Sequence, residues 1–150
     1  MEPVLKEYAY GSPEYRKALI LRVCVLGLAP GIDDFLSDMV FSPAEAEKDY
    51  FFLGAFDGDT LMATLNLIKQ EDGSLLLRQF AVHGSCQGQG IGKKLIQFAH
   101  NFARQRGYRK IFLDSRLHAV GFYQKAGYRL TGTRKVYPEI TLDEMYIDLE

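Results

Sequence analysis

The sequence predicts an α+β domain built on a mixed, mostly antiparallel central sheet with helices on both of its faces. Three observations support this fold class. Asp57-Gly58-Asp59 separates two strand-like segments, and such Gly-containing pairs favour the tight turns of antiparallel hairpins. One long helical pattern separates two strand-like segments near residues 82 and 110, which indicates a single crossover connection. Two further strand-like segments end the chain with no helix between them, as antiparallel neighbours do.

Local signals place the elements of the first half in order. Ser12 and Pro13 are typical of a helix N-cap and first helical position. Residues at helical spacing follow, namely Tyr15, Leu19, Arg22, Val23 and Leu26. The predicted strands are Val4–Tyr10, Tyr50–Phe56, Thr60–Ile68 and Leu75–Val82, and the predicted helical segments are Glu14–Leu26, Asp33–Val40 and Glu45–Lys48.

A broad apolar stripe in the second half predicts a long helix that ends near Arg106. Gly107 follows its basic last turn and is typical of a C-cap. The predicted elements here are a loop at His83–Gly90, helices at Ile91–Arg106 and Leu117–Lys125, and strands at Lys110–Asp114, Tyr128–Val136 and Ile140–Leu149.

Composition narrows the class of protein. The chain has 150 residues, which fits one domain over residues 1–150, and 47% of them are hydrophobic, enough for one core. A net charge of -1 gives no electrostatic reason to expect a nucleic-acid partner. No apolar run has the length of a membrane span and the N-terminus has no signal-peptide pattern, so we expect a cytoplasmic protein without a membrane partner. Cys24 and Cys86 are expected to be free thiols, and no metal site is predicted.

The segment with the clearest chemical meaning is residues 87–93, Gln-Gly-Gln-Gly-Ile-Gly-Lys, between a strand and the long helix. Glycines let a ligand approach the backbone, and the helix N-terminus that follows favours an anion such as a pyrophosphate. The Walker A pattern fails here, because its positions hold Gln87 and Lys94. The dinucleotide fingerprint also fails, because its third glycine is replaced by Lys93 or Leu95. By itself, the segment is also compatible with a plain turn that binds nothing.

Two segments together resemble a known family. Residues 77–82, Leu-Arg-Gln-Phe-Ala-Val, and the loop after them are similar to the acetyl-CoA-binding core of the GNAT superfamily of N-acetyltransferases, whose loop pattern is filled by Gln87, Gly90 and Gly92. Residues 119–128, Ala-Val-Gly-Phe-Tyr-Gln-Lys-Ala-Gly-Tyr, are similar to a second family segment. The resemblance covers roughly residues 50 to 135, is typical of small bacterial-type members with unassigned substrates, and implies the acyl-CoA N-acyltransferase fold.

The resemblance implies roles for particular residues. The β-strand backbone would hold the pantetheine arm, the Val82 N–H would stabilise the thioester oxygen, and the loop backbone would hold the pyrophosphate. The implied coenzyme-binding residues are Phe80, Ala81, Val82, Gln87, Gly88, Gln89, Gly90, Ile91, Gly92 and Lys93. Tyr123 is the implied catalytic residue, a general acid for the departing thiolate.

Several assignments stay open at the level of sequence. Arg116 stands where many family members have Asn, so it either binds a substrate carboxylate or coenzyme phosphate or forms a structural ion pair. No spacing selects the general base; the candidates are His83, Asp114, His118, Glu139 and Glu144. Cys86 flanks the loop without an evident acid or base partner and is interpreted as a bystander.

The functional hypothesis is an N-acetyltransferase that moves an acetyl group from acetyl-CoA to a primary amine of a small molecule or peptide, by direct attack in a ternary complex. The alternatives are a non-catalytic acyl-CoA sensor or vestigial enzyme, and an interaction module with an empty loop. The acceptor groove would be formed by roughly Gly27–Asp49 and Arg134–Asp143. The sequence is also compatible with a homodimer.

Overall fold

The structure is a computed structural model that describes residues 2–26 and 44–149. Its strands are β1 (Val4–Tyr8), β2 (Phe51–Asp57), β3 (Thr60–Lys69), β4 (Leu75–Val82), β5 (Lys110–Arg116), β6 (Arg129–Val136) and β7 (Thr141–Asp148). Its helices are α1 (Pro13–Leu26), α2 (Ile91–Gln105) and α3 (Val120–Lys125), with 3₁₀ turns at Ala44–Glu47, Gly84–Cys86 and Leu117–Ala119.

The strands form one sheet in the order β1-β2-β3-β4-β5-β7-β6. Every neighbouring pair is antiparallel except β4 and β5, which are parallel and joined by the crossover through α2. The predicted α+β fold class, with a mixed and mostly antiparallel sheet, is therefore confirmed.

Helix α1 begins as the sequence predicts. The Ser12 hydroxyl oxygen accepts a hydrogen bond from the Tyr15 backbone N–H at 3.1 Å, which satisfies one of the free donors of the first turn. Of the residues noted at helical spacing, Tyr15 and Arg22 are buried, whereas Leu19 is half-buried. The buried face consists of Tyr15, Ala18, Leu21 and Arg22. An arginine belongs to that face because an ion pair neutralises its charge, as described below.

The end of α2 shows why its length could be predicted. The Gly107 N–H donates to the Arg104 carbonyl, and the Tyr108 N–H donates to the Ala103 carbonyl, at 3.0 Å each. This pair of hydrogen bonds is the Schellman motif, which terminates a helix at a glycine. The chain then turns directly into β5.

The two faces of the sheet carry separate cores. Side chains alternate along β3, so Leu65 and Leu67 point to the face covered by α2 and α3, whereas Thr64 points to the face covered by α1. We call these the α2 core and the α1 core. The main members of the α1 core are Tyr8, Tyr15, Ala18, Leu21, Phe52, Phe56, Leu61 and Ala81. Helices therefore lie on both faces, as expected.

The helical segments differ from the predicted ones at a few places. The helix predicted within Asp33–Val40 lies outside the described residues. The segment predicted as one helix, Leu117–Lys125, is a 3₁₀ turn followed by the short α3, and the predicted loop before α2 contains a 3₁₀ turn. Within residues 2–26 and 44–149, no helix is long and apolar enough to cross a membrane.

Candidate active site

The candidate site is built around a gap in the middle of the sheet. Strands β4 and β5 pair at only two positions, Leu75 with Ile111 and Leu76 with Phe112. Both strands continue beyond these pairs, β4 to Val82 and β5 to Arg116, without pairing to each other. We call the space between residues 77–82 and 113–116 the wedge. Its strand edge on β4 offers backbone hydrogen-bonding groups that a ligand with amide groups can satisfy.

A β-bulge shapes β4 where the wedge opens. Thr64 pairs with Ala81 and Asn66 pairs with Arg78, so β4 carries one extra residue between the two pairs. Gln79 lies in this bulge with φ +57°, and among the described residues it is the one non-glycine residue with positive φ. The bulge could not be predicted from the sequence, because neither glycine nor proline marks it.

Backbone hydrogen bonds show which groups of β4 face the wedge. The His83 N–H donates to the Met62 carbonyl of β3 at 2.8 Å. Successive residues of a strand turn their polar groups to opposite sides, so the Val82 N–H and C=O face away from β3 and into the wedge. The Val82 carbonyl accepts a hydrogen bond from the Gln87 side-chain amide at 3.2 Å. The Val82 N–H faces the same space as this carbonyl.

The glycine loop leads into the N-terminus of α2 beside this edge. Gly88 and Gly90 have φ of +81° and +79°, a conformation that glycine adopts without strain. No side chain caps the first turn of α2, and the first turn has no acidic residue. Its free N–H groups, together with the exposed Lys93, fit an anionic group such as a pyrophosphate. Gln87 and Gln89 are exposed.

Gly92 allows close packing between α2 and β4. An added Cβ there would lie 3.0 Å from Phe80 Cζ and 3.2 Å from Val82 Cγ2. The adjacent Ile91 is buried in the α2 core. The predicted loop and strand residues are therefore neighbours in space as well as in sequence.

Tyr123 lies in a cluster of aromatic rings beside the wedge. Its ring centroid is 6.4 Å from that of Phe80 on β4 and 5.2 Å from that of Phe122. Burial raises the pKa of the Tyr123 hydroxyl to about 12, because the phenolate would lose its hydration. The phenol therefore stays protonated near neutral pH and is able to donate a proton or hydrogen bond.

A buried polar pair, Tyr128 and His100, lies next to Tyr123. The Tyr128 N–H donates to the Tyr123 carbonyl at 3.0 Å, and the two rings pack edge to face with centroids 5.7 Å apart. The Tyr128 hydroxyl lies 3.0 Å from His100 Nε2 on α2. Burial, and then the charge of Arg104, lower the pKa of His100 to about 4. His100 is therefore neutral at physiological pH.

The structure brings together two of the five candidate bases. Asp114 and Glu144 are register partners on β5 and β7. The Lys135 ammonium lies 3.0 Å from the Asp114 carboxylate and 3.6 Å from that of Glu144, and Thr131 donates to Glu144 at 3.0 Å. Burial opposes the charge of Lys135, but the two carboxylates outweigh it and raise the Lys135 pKa. Both carboxylates are thus engaged by a cation of the chain itself.

The other candidates lie apart from this group. His83 accepts hydrogen bonds through Nδ1 from the N–H and hydroxyl of Ser85, at 3.1 and 2.8 Å. His118 and Glu139 are exposed. Arg116 ends β5 at the mouth of the wedge, opposite Leu142 of β7. Its role stays a prediction.

Cys86 is buried in the α2 core, with the Ser85 hydroxyl 3.7 Å from its sulfur, while Cys24 is exposed. Of the predicted acceptor groove, residues 27–43 lie outside the described part of the chain. Its remaining parts are residues 44–49, which contain the 3₁₀ turn Ala44–Glu47, and the hairpin of β6 and β7, where Arg134 forms an ion pair with Asp143 at 2.7 Å.

Comparison with known proteins agrees with this geometry. The model of the acetyltransferase (GNAT) family matches residues 26–128. N-acetyltransferase 8B of Homo sapiens is 39% identical over 61 residues, which are 39% of this chain and 27% of that protein. The chain thus spans about a quarter of the length of this relative.

Solved structures share the whole fold. A Lactobacillus plantarum protein described as a candidate N-acetyltransferase superposes with a TM-score of 0.83 and 25% identity, covering 98% of this chain and 99% of that one. An aminoglycoside 6'-N-acetyltransferase complexed with coenzyme A superposes with a TM-score of 0.79 and 17% identity, covering 98% and 97%. The family match over residues 26–128, on a chain with this sheet and this wedge, shows that the protein belongs to the acetyltransferase (GNAT) family.

Proposed function

We propose that the chain transfers an acetyl group from acetyl-CoA directly to a primary amine of a small molecule or peptide. The observation that carries this proposal is the wedge, where three features converge. They are an unpaired edge of β4, a glycine loop before a helix N-terminus without a side-chain cap, and a buried phenol that stays protonated. The amide-containing arm of an acyl donor matches the β4 edge, and its pyrophosphate matches the glycine loop and helix N-terminus. Its thiolate leaving group matches the protonated phenol.

Donor binding is assigned to the backbone. The backbone of Phe80, Ala81 and Val82 would form hydrogen bonds with the amides of the pantetheine arm, which would lie along this edge like an additional β-strand. The loop residues Gln87, Gly88, Gln89 and Gly90 and the first-turn residues Ile91 and Gly92 would bind the pyrophosphate through N–H groups, with Lys93 adding positive charge. When bound, acetyl-CoA supplies a thioester carbonyl that is open to attack by an amine.

Two groups are assigned to the chemical step, one as the oxyanion donor and one as the general acid. The Val82 N–H faces the wedge and would donate to the carbonyl oxygen as negative charge develops there during attack. The Tyr123 hydroxyl would give a proton to the sulfur as the carbon–sulfur bond breaks. A carbon–nitrogen bond forms at the same carbon, and the proton that the amine loses passes by way of solvent to the Tyr123 phenolate, which restores the phenol. The products are an N-acetylated amine and free coenzyme A.

Thermal unfolding tests donor binding. At a hundred times its dissociation constant, acetyl-CoA should stabilise the fold by about 2.7 kcal/mol. For a chain of this length, the midpoint should rise by about 5–10 °C. ATP and NADH serve as controls for the glycine loop. If neither acetyl-CoA nor coenzyme A raises the unfolding midpoint at millimolar concentration, the proposal is contradicted. If only ATP or NADH raises it, the glycine loop binds that nucleotide instead.

Turnover tests the catalytic assignment. Free thiol release would be followed with a panel of amines that includes aminoglycosides, polyamines and peptides. Tyr123→Phe should lower kcat on the order of 10²- to 10⁴-fold, the range of general acid catalysis, with little change in coenzyme A binding. Tyr108→Phe is the matched control, because Tyr108 follows the opposite end of α2 and packs on Phe51. Equal kcat for the two variants would remove Tyr123 from the mechanism. Stabilisation by acetyl-CoA without turnover of any amine would instead indicate a sensor.

A further inference from the structure

A buried ion pair connects α1 to the segment before β2. Arg22 and Glu47 are 0% and 2% exposed, respectively. The guanidinium donates two parallel hydrogen bonds to the carboxylate, at 3.0 and 2.7 Å, and Tyr15 donates a third to it at 2.9 Å. Such a fork is rigid, because its planar geometry fixes both partners.

The same arginine reaches the bulge of β4. Arg22 Nε donates a hydrogen bond to the Gln79 side-chain oxygen at 3.1 Å. Gln79 is the bulge residue with φ +57°, a conformation that costs free energy for any residue with a side chain. Residues in this region persist where the surrounding structure holds them, and they concentrate at functional sites. Here the hydrogen bond to a rigid, buried guanidinium contributes to that restraint.

The bulge decides which way the functional end of β4 faces. Leu77 belongs to the α2 core, and so do Phe80 and Val82 at its edge. Strict alternation from Leu77 would place Phe80 on the α1 face, and the extra residue reverses this. The bulge therefore sets both the packing of Phe80 and Val82 against Gly92 and the direction of the Val82 N–H.

We propose that Gln79, held by Arg22, is a positioning residue for acyl transfer. Its hydrogen bond keeps the β4 bulge in the one conformation that presents the Val82 N–H to the thioester oxygen. The proposal rests on the proposed function. It adds a residue that fixes the geometry of the oxyanion donor from the face of the sheet that α1 covers.

The test uses Gln79, because replacing Arg22 would leave Glu47 as an unpaired buried charge and risk unfolding the chain. Gln79→Met keeps the length of the side chain and removes the acceptor for Arg22. Gln79→Glu keeps the acceptor. Gln70→Met is the matched control, since Gln70 also bonds through its side-chain amide, to the Ile68 carbonyl, but at the turn between β3 and β4.

The first readout is the backbone amide spectrum of ¹⁵N-labelled protein titrated with coenzyme A and with acetyl-CoA. In the wild-type chain the Val82 amide should respond differently to the two, because only the second carries the thioester oxygen. Gln79→Met should abolish that difference while the Gly88 and Gly90 amides still respond to both ligands. Gln79→Glu and Gln70→Met should behave as the wild type does.

The second readout is turnover with the best amine of the panel. Gln79→Met should lower kcat on the order of 10- to 100-fold, as misplacement of one oxyanion donor does, with an unchanged dissociation constant for coenzyme A. Retention of both the acetyl-dependent Val82 shift and kcat in Gln79→Met would overturn the proposal. No amide response of the wild-type chain to either ligand would instead contradict the proposed function itself, so the two failures are distinguishable.

Discussion

Replacing Gly92 by alanine tests the packing that joins the glycine loop to β4. The added methyl carbon would lie 3.0 Å from Phe80 Cζ, closer than ordinary van der Waals contact, and Phe80 is itself stacked on Phe122 with centroids 6.0 Å apart. Overpacking of this kind costs about 1–3 kcal/mol. The higher helix propensity of alanine offsets this by up to about 1 kcal/mol of unfolding free energy. The net effect should be a destabilisation of about 1 kcal/mol, which lowers the unfolding midpoint by about 2–4 °C.

Gly121→Ala is the matched control for this change. Gly121 also lies in a helix, but its added methyl would meet nothing within 4 Å. It should therefore stabilise the chain by about 0.5–1 kcal/mol through helix propensity alone. Both variants would be measured by urea unfolding and by thermal unfolding without ligand. If Gly92→Ala proves as stable as Gly121→Ala, then Phe80 and Val82 do not hold α2 at the described distance, and the geometry assigned to the loop fails with it.

Three further predictions concern other parts of the chain. Ser12→Ala should cost about 1 kcal/mol of unfolding free energy by removing the acceptor for the Tyr15 N–H, while Ser12→Asp should retain most of the stability; equal losses in the two variants would exclude capping as the cause. His100 has a folded-state pKa of about 4 against 6.5 for the free side chain, so the unfolded state binds the proton first and stability should fall as pH drops from about 6.5 to 4. Urea unfolding at pH 7 and at pH 4 measures this loss of unfolding free energy. The loss should be larger for the wild-type chain than for His100→Gln, by on the order of 3 kcal/mol. Equal losses in the two chains would show that His100 is not the group responsible. Since burial raises the pKa of Tyr123 to about 12, the pH–rate profile should have no alkaline limb from this group below about pH 11; a limb near pH 10 that disappears in Tyr123→Phe would contradict the burial.

Local signals accounted for much of the site. The glycine loop and the start of α2 follow from residues 87–93, because glycine adopts a left-handed turn without strain and a helix N-terminus favours an anion. The expected ligand came from the family resemblance. The aromatic segment with Tyr123 was found through its resemblance to a family motif. Its raised pKa could not have been found in this way, since it depends on rings contributed by β4 and by Tyr128.

Arg22 shows where sequence reasoning was incomplete. Arg22 lies at helical spacing with Tyr15 and Leu26, and an arginine in such a pattern is a signal that could have indicated a buried partner. The sequence did not identify that partner, because Glu47 and Gln79 lie far along the chain and on different elements. The β4 bulge left no mark in the sequence either, since a glutamine occupies the left-handed position.

Residues within a few positions of one another were enough to predict the order of the described helices and strands, the turns that join them, the glycine loop and the family pattern, because helix caps, turn residues and side-chain periodicity act over that range. Only the folded arrangement shows where β4 and β5 stop pairing, which face Phe80 and Val82 occupy, and that Arg22 bonds to Gln79. Those features depend on contacts between segments distant in the chain, and strand separation and bulge geometry are set by how whole faces pack rather than by any local preference.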